Sequence, residues 1–231
     1  MAGRSLDDAS RRAIPLFQGL DQHELARLRA ITEVTTYPAG VRLMQERQPG
    51  EVVYVILSGS VKVHHVQADG TEVILAVLGE KEIVGELSMI DGFGRSATVS
   101  TLEETRTLWL DREGFWECIR DMPVLSHNLH RLMARRLRRA NAHIDSLASL
   151  DVAGRIARHL LALAYEYGRP ADGRGTLIPI PLSQADLAAL VGASRARVNQ
   201  ALVEFRRRRY VSLDRNRYTV LDPEALRRRC L

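Results

Sequence analysis

Leu129, Met133, Leu137, Ala140, Ile144 and Leu147 follow one another at steps of 4, 4, 3, 4 and 3. Only one long unbroken helix keeps such positions on a single side, so this stretch must be a rod. Met122-Pro123 can open it, because proline is welcome in a first helical turn. Arg131, Arg135, Arg136, Arg138 and Arg139 fall largely off the stripe. So narrow and long a seam is a coiled-coil interface more often than the side of a globular core. The simplest partner is the same helix of a second copy, which predicts a two-fold homodimer. The competing use is packing against the strands of its own chain.

The rod divides two patterns. Upstream, residues 10–34 read as short helices, with Asp21 able to cap the segment from Gln22. From Tyr37 to about Leu110 the apolar period is two. Strands are expected at Val52–Leu57, Val61–Val66, Val73–Leu78, Ala97–Ser100 and Thr105–Leu110, with turns at Ser58-Gly59 and Ala68-Asp69-Gly70. Short strands so punctuated predict an antiparallel sandwich or barrel that can hold one small ligand. Downstream, Val152, Ile156, Leu160 and Leu163 continue in helical phase, and GRPADGRG (168–175) reads as a polar loop. The break at Ser149–Asp151 is the expected hinge. At 231 residues the chain has room for two domains.

Charge separates the same regions. Residues 1–182 hold 22 Lys and Arg against 23 Asp and Glu, a net −1; residues 183–231 hold 11 against 5, a net +6. A basic excess confined to one small domain is the electrostatic footprint expected of a nucleic-acid binder, and on charge alone equally that of a solvated surface or a basic tail. The motif there agrees. Ser183-Gln184-Ala185-Asp186 is a capping box that opens a helix, Val191-Gly192-Ala193-Ser194 is a tight turn, and Ser194 can cap a second helix. Val198, Ala201, Leu202 and Phe205 give that second helix a core face; Ala196, Gln200, Val203 and Arg207 lie opposite, flanked by Arg195 and Asn199. Two helices joined by a glycine turn form a helix-turn-helix, whose second helix meets base edges. Tyr210–Leu213 and Tyr218–Leu221 add a hairpin wing.

A second motif lies among the strands: Gly85-Glu86-Leu87, then Arg95-Ser96-Ala97 after the turn Asp91-Gly92-Phe93-Gly94. Arg95 offers a fixed fork for a phosphate, Ser96 a hydroxyl, and Glu86 an acceptor for a ribose 2′-OH. Gly85 lets the backbone come close. The plainer reading is a Glu86–Arg95 ion pair closing a hairpin.

In GELSMIDGFGRSATV (85–99), MARRLRRANAHIDSLASLDVAGRIA (133–157) and LSQADLAALVGASRARVNQAL (182–202) the chain resembles the superfamily of the cAMP receptor protein and the fumarate-nitrate regulator, bacterial transcription factors. The resemblance runs through nearly the whole length. It implies an α+β chain with a cyclic-nucleotide-binding jelly-roll barrel (1–121), a dimerisation helix and hinge (122–150) and a winged helix-turn-helix (151–231). It implies that Gly85, Glu86, Arg95 and Ser96 form the phosphate-binding cassette, that Leu87 belongs to the effector site beside it, and that Val63, Leu75, Ala76 and Val84 line the pocket. Where relatives offer Thr-Ser or Thr-Asn to adenine, this chain has Ala140-Asn141, so Asn141 is the residue expected at the purine. Lys81 stands where the superfamily usually has glycine. On DNA, Ser183 and Gln184 would hold phosphates and Arg195 would read a guanine. Ala196 replaces a glutamate reader, and Gln200 replaces an arginine, favouring adenine. Ser194, Asn199 and these readers make up the expected DNA face.

The expected partners are cAMP as allosteric effector, a second copy, a pseudo-palindromic operator in double-stranded DNA and RNA polymerase. The alternative is the same fold acting without an effector, or with cGMP or 2-oxoglutarate. An enzyme, a metal-dependent barrel with His64-His65 as ligands, is disfavoured because alternation sends the two rings to opposite faces. No catalytic residues, cofactor or metal are expected. Cys118 reads as a core residue and Cys230 as part of a mobile tail. Two cysteines cannot form a disulfide framework or a four-cysteine cluster. No apolar run suits a membrane span, and the charged N-terminus is unlike a signal peptide, so a cytoplasmic setting is expected.

Overall fold

The computed structural model describes residues 8–230. The N-terminal charges that argue against a signal peptide lie partly outside them. Two compact units are present among them: residues 8–65 with 76–138, and residues 66–75 with 139–230.

The first unit begins with α1 (Asp8–Arg12), a 3-10 turn (Pro15–Phe17) and α2 (Gln22–Ala30). Asp21 and Glu24 cap α2 reciprocally, as a capping box. Eight strands follow: β1 (Glu33–Tyr37), β2 (Arg42–Met44), β3 (Val52–Ser58), β4 (Val61–Val66), β5 (Glu72–Leu78), β6 (Ile83–Val84), β7 (Thr98–Thr101) and β8 (Thr105–Asp111). The order β1-β8-β3-β6 makes one sheet and β2-β7-β4-β5 the other. Ile56 and Val84 of the first sheet meet Met44, Val61, Leu78 and Val99 of the second, so the two inner faces share a core. The expected barrel is therefore a two-sheet antiparallel jelly roll. Strands β1 and β2 were not anticipated as such: β1 starts at Glu33, inside the span read as helical. Its Thr-rich sequence is partly solvated on both faces and shows no apolar alternation.

Between β6 and β7 lies the one-turn α3 (Leu87–Ile90), and beyond β8 come α4 (Arg112–Asp121) and α5 (Pro123–Ser149). Asp111 caps α4 through the Gly114 N–H at 2.8 Å. Met122, Leu125, Leu129 and Leu132 of the α5 region join Phe17, Leu25, Leu28, Val53, Leu108 and Phe115 in a second core. Cys118 lies in that core, and burial pushes its thiol up to about 12.

Lys81 has a φ of 72°. That left-handed region costs an L-residue roughly 1–2 kcal/mol. The conformation accounts for glycine being usual there. The side chain is exposed and makes no hydrogen bond or ion pair among the described residues. Lys81→Gly relieves the strain but adds unfolded-state freedom worth about 0.5–1 kcal/mol. A net gain of up to about 1 kcal/mol is expected, raising the midpoint by a few degrees for a chain of this size. Thermal denaturation followed by circular dichroism checks it; a lower midpoint would show that the lysine has a role of its own.

In the second unit, Asp151 caps α6 (Val152–Tyr167) through the Gly154 N–H at 2.7 Å. The expected break after Ser149 is thus the junction of two separate helices. A ring nitrogen of His143 lies 3.1 Å from one of His159, and burial lowers the pKa of both, that of His159 to about 4. Residues 168–175 do not form a plain loop. β9 (Arg169–Pro170) pairs with β10 (Thr176–Leu177), which joins the wing strands β11 (Val211–Asp214) and β12 (Arg217–Val220) in the order β11-β12-β10-β9. The two helices of the predicted motif are α7 (Gln184–Val191) and α8 (Arg195–Arg207). The described chain closes with α9 (Pro223–Arg227) and a 3-10 turn, Arg228–Cys230. Cys230 is half-buried with Sγ 3.4 Å from the Leu226 carbonyl, so it belongs to this packed end and not to a mobile tail.

Candidate functional site

In the jelly roll, a cavity of about 380 Å3, part of it open to solvent, is lined by Met44, Val63, Leu78 and Val84 on its apolar side. Gly85, Glu86, Leu87, Ser88, Arg95, Ser96 and Arg136 line its polar side. The motif residues Gly85, Glu86, Leu87, Arg95 and Ser96 therefore converge, with Val63 and Val84 beside them. Leu75 and Ala76 do not line this cavity. Strand alternation buries Ile74 and leaves Leu75 46% exposed, and Ala76 packs with the second-sheet core. Asn141 is exposed on α5 in the second unit.

Gly85 has a φ of +91°, and a Cβ there would come 2.6 Å from Arg95 Nη1 and 2.8 Å from the Val52 carbonyl oxygen. The turn can close only around glycine. Arg95 is 7% exposed; its Nη1 donates to the Gly85 carbonyl at 2.9 Å and Ser88 Oγ at 3.0 Å, and its Nη2 to the Val52 carbonyl at 2.7 Å. Three of the five guanidinium N–H groups are thereby used to hold the turn, leaving two for a ligand. Burial lowers the Arg95 pKa, yet arginine stays charged in proteins. Ser96 lies at the rim, exposed.

Glu86 does not pair with Arg95. Its Oε1 accepts from Arg136 Nη1 at 2.6 Å, while Arg136 Nη2 reaches Glu82 Oε2 at 3.2 Å and also the Ile83 carbonyl. Burial alone would lower the Arg136 pKa, but Glu86 and Glu82 carry it upward. The other oxygen, Glu86 Oε2, is buried with no hydrogen-bond partner among the described residues. An orphaned carboxylate oxygen in a cavity wall is costly unless a donor arrives there. Arg136 was missed because an arginine on a helix reads as solvated. Its signal lies in phase: it follows Leu132 by four residues, continuing the buried row Leu125, Leu129 and Leu132.

The seam itself divides. Leu129 is 5% exposed, taken up by its own chain's core, and Met133 packs against that core. This corrects the expectation that Leu129 faces a partner. Leu137 (63% exposed), Ala140, Ile144 (64%) and Leu147 (43%) remain open on α5.

In the second unit the helix-turn-helix forms as read. Ser183 and Asp186 complete the capping box, Gly192 ends α7 in the left-handed region, and the Ser194 side chain caps α8. Val198, Leu202 and Phe205 are buried, so α8 turns Arg195, Ala196, Asn199, Gln200 and Val203 outward, all exposed. Gln184 Nε2 donates to Asn199 Oδ1 at 3.3 Å, so α7 orients a side chain of the outward face. His64 and His65 diverge as alternation requires: His64 is buried beside Ser100 Oγ at 3.1 Å, and His65 meets Glu46 at 2.8 Å.

Residues 34–122 match the family model of the cyclic nucleotide-binding domain, and residues 154–229 that of the Crp-like helix-turn-helix domain. A CRP-like cAMP-activated global transcriptional regulator of Mycobacterium tuberculosis is 36% identical over 93% of this chain and 95% of that protein. The cyclic AMP receptor protein of Thermus thermophilus is 36% identical over 81% of this chain and 83% of its own. Among solved structures, the Thermus thermophilus catabolite activator protein covers 94% of this chain and 98% of its own, with 32% identity and a TM-score of 0.52. The c-di-GMP-responsive global regulator CLP of Xanthomonas campestris shares the fold, with a TM-score of 0.72 and 24% identity over 87% of this chain and 99% of its own.

Proposed function

The chain belongs to the CRP/FNR family of transcription regulators, and from that premise we propose a homodimeric, sequence-specific DNA-binding regulator gated by cAMP. The observation that carries the choice of effector is Glu86 Oε2, buried and unpartnered among the described residues, in a wall it shares with Arg95 and Ser96. A cyclic nucleotide matches that set. Its ribose 2′-OH donates to the orphaned oxygen, and its phosphate takes the two spare N–H groups of Arg95 and the Ser96 hydroxyl. The apolar wall of Met44, Val63, Leu78 and Val84 receives the rest. The names of the two 36% identical relatives support cAMP over cGMP or 2-oxoglutarate.

Gating follows from Arg136. This residue sits on α5 yet is bonded to Glu86, so a hydroxyl arriving at Glu86 acts on a group that the long helix carries. An effector shifts the DNA-competent population only if it binds that state more tightly. The proposed division is a sensor (1–121), a dimerisation helix and hinge (122–150) and a reader (151–231), with Asn141 at the purine. On operator DNA, Arg195 gives bidentate contact to guanine O6 and N7, Gln200 suits adenine, and Ala196 can meet a thymine methyl. Ser183, Gln184, Ser194 and Asn199 hold the flanks, and RNA polymerase is the expected protein partner.

Calorimetric titration with cAMP, cGMP and 2-oxoglutarate, followed by selection of DNA from a random pool with and without cAMP, tests the reading. cAMP is expected to bind most tightly, and DNA recovered with it to be an inverted repeat containing a guanine in each half-site. Equal operator affinity with and without cAMP would overturn the gating.

A further inference from the structure

A second cavity, of about 560 Å3 and part of it open to solvent, lies in the first unit between α5 and the segment before α2. Pro15, Gln18, Asn128, Arg131, Ala134, Arg135 and Arg138 line it, with no carboxylate among them. Asn128 is 8% exposed and ties the wall together, its amide donating to the Leu16 carbonyl at 3.1 Å and the Gln18 carbonyl at 2.7 Å. The five arginines of residues 131–139 sort cleanly. Arg136 and Arg139 pair with glutamates, Arg136 with Glu82 and Glu86 and Arg139 with Glu166. Arg131, Arg135 and Arg138 are exposed, with no side-chain hydrogen bond or ion pair among the described residues, and of the five these three line the cavity.

Their spacing of four and three residues stacks them along one side of α5, where like charges repel and weaken the helix. No carboxylate among the described residues pairs with them to offset that repulsion. At about 1.5 Å rise per residue the row is about 10 Å long. Ala134, within the row, keeps the floor open. At about 100° per residue the row lies on roughly the opposite side of the helix from Leu137 and Ile144, so a copy docked on that seam leaves it accessible. A row of guanidiniums in a concave site of this volume matches a small molecule with several phosphate groups in line. An acidic protein helix would require a longer, flatter surface.

We propose that this cavity is a second ligand site, distinct from the cyclic-nucleotide pocket, and that it binds a small anion carrying two or more phosphates, such as a nucleoside polyphosphate. The proposal does not depend on cAMP gating. Inorganic triphosphate and GTP serve as probes, titrated into the full chain at saturating cAMP and low salt. The comparison is a chain carrying Arg131→Gln, Arg135→Gln and Arg138→Gln together. One site per protomer is expected in the parent, weakened at least 30-fold in the triple variant. Weak binding at the α8 arginines stays the same in both proteins and is subtracted. Without probe, the triple variant should melt at or above the parent's temperature, because repulsion is relieved; with triphosphate only the parent's midpoint should rise. Superimposable isotherms would overturn the proposal, as would a cavity that takes an acidic peptide but neither probe.

Discussion

An Arg95→Leu chain is expected to bind cAMP at least about 100-fold more weakly than the parent and to melt several degrees lower. Two charge-assisted hydrogen bonds to the phosphate are each worth roughly 1.5–3 kcal/mol. Losing both corresponds to about 3 kcal/mol or more. Each step of about 1.4 kcal/mol is tenfold in affinity. The stability loss comes from the other side of the same guanidinium. It holds the carbonyls of Gly85 and Val52. Removing it leaves acceptors that cost about 1–3 kcal/mol each where water cannot reach them. Calorimetry and thermal melting separate the two effects when Ser96→Ala is run alongside. Ser96 is exposed and its side chain has no partner among the described residues, so its loss should lower cAMP affinity several-fold with the melting temperature unchanged. Should Arg95→Leu fold poorly, Arg95→Lys keeps the charge but not the fork, and should still lose most of the affinity. A folded Arg95 variant within threefold of the parent's affinity would remove Arg95 from the phosphate.

That double duty was not legible in the sequence, and the reason is physical. Gly85, Glu86, Arg95 and Ser96 could be seen as a set with ligand chemistry, but the bonds Arg95 makes depend on Val52, 43 residues earlier. Local rules read local geometry well. The capping box Ser183–Asp186, the left-handed Gly192 and the core face Val198, Leu202 and Phe205 all emerged where spacing placed them. β9 and β10 could not be read so, since each is two residues long: β10 exists through pairing with the wing strand β12 far along the chain, and β9 only through pairing with β10. Helix α5 shows the limit most clearly. A run of apolar residues fixes the phase of a helix but not what covers each residue, so one seam held both an inward Leu129 and an outward Ile144.

That division supplies the second large expected effect: Ile144→Asp should convert the protein to monomers at micromolar concentration and lower operator affinity at least a thousand-fold. Leu137, Ile144 and Leu147 stand 43–64% exposed on one side of α5. Water disfavours that arrangement, and a second copy would cover it. Burying a side chain of this size contributes about 1.5–3 kcal/mol, and a two-fold axis makes each contact count twice. The substitution therefore removes two isoleucines and sets two carboxylates against each other. Several kcal/mol lost from the dimer corresponds to a thousand-fold or more in its dissociation constant. Operator affinity falls with it, because a dimer engages its second half-site at the high effective concentration set by the first. The protomer should be nearly indifferent, since Ile144 lies outside its core; cAMP binding per chain and secondary structure are expected to persist. Leu129→Ala gives the opposite pattern, because Leu129 belongs to the protomer's own core. It opens a cavity there at about 2–5 kcal/mol, lowering the melting temperature of the protomer whatever its oligomeric state. Sedimentation equilibrium and operator titration on both variants distinguish the two halves of the seam, and an Ile144→Asp chain that remains dimeric would place the dimer interface elsewhere.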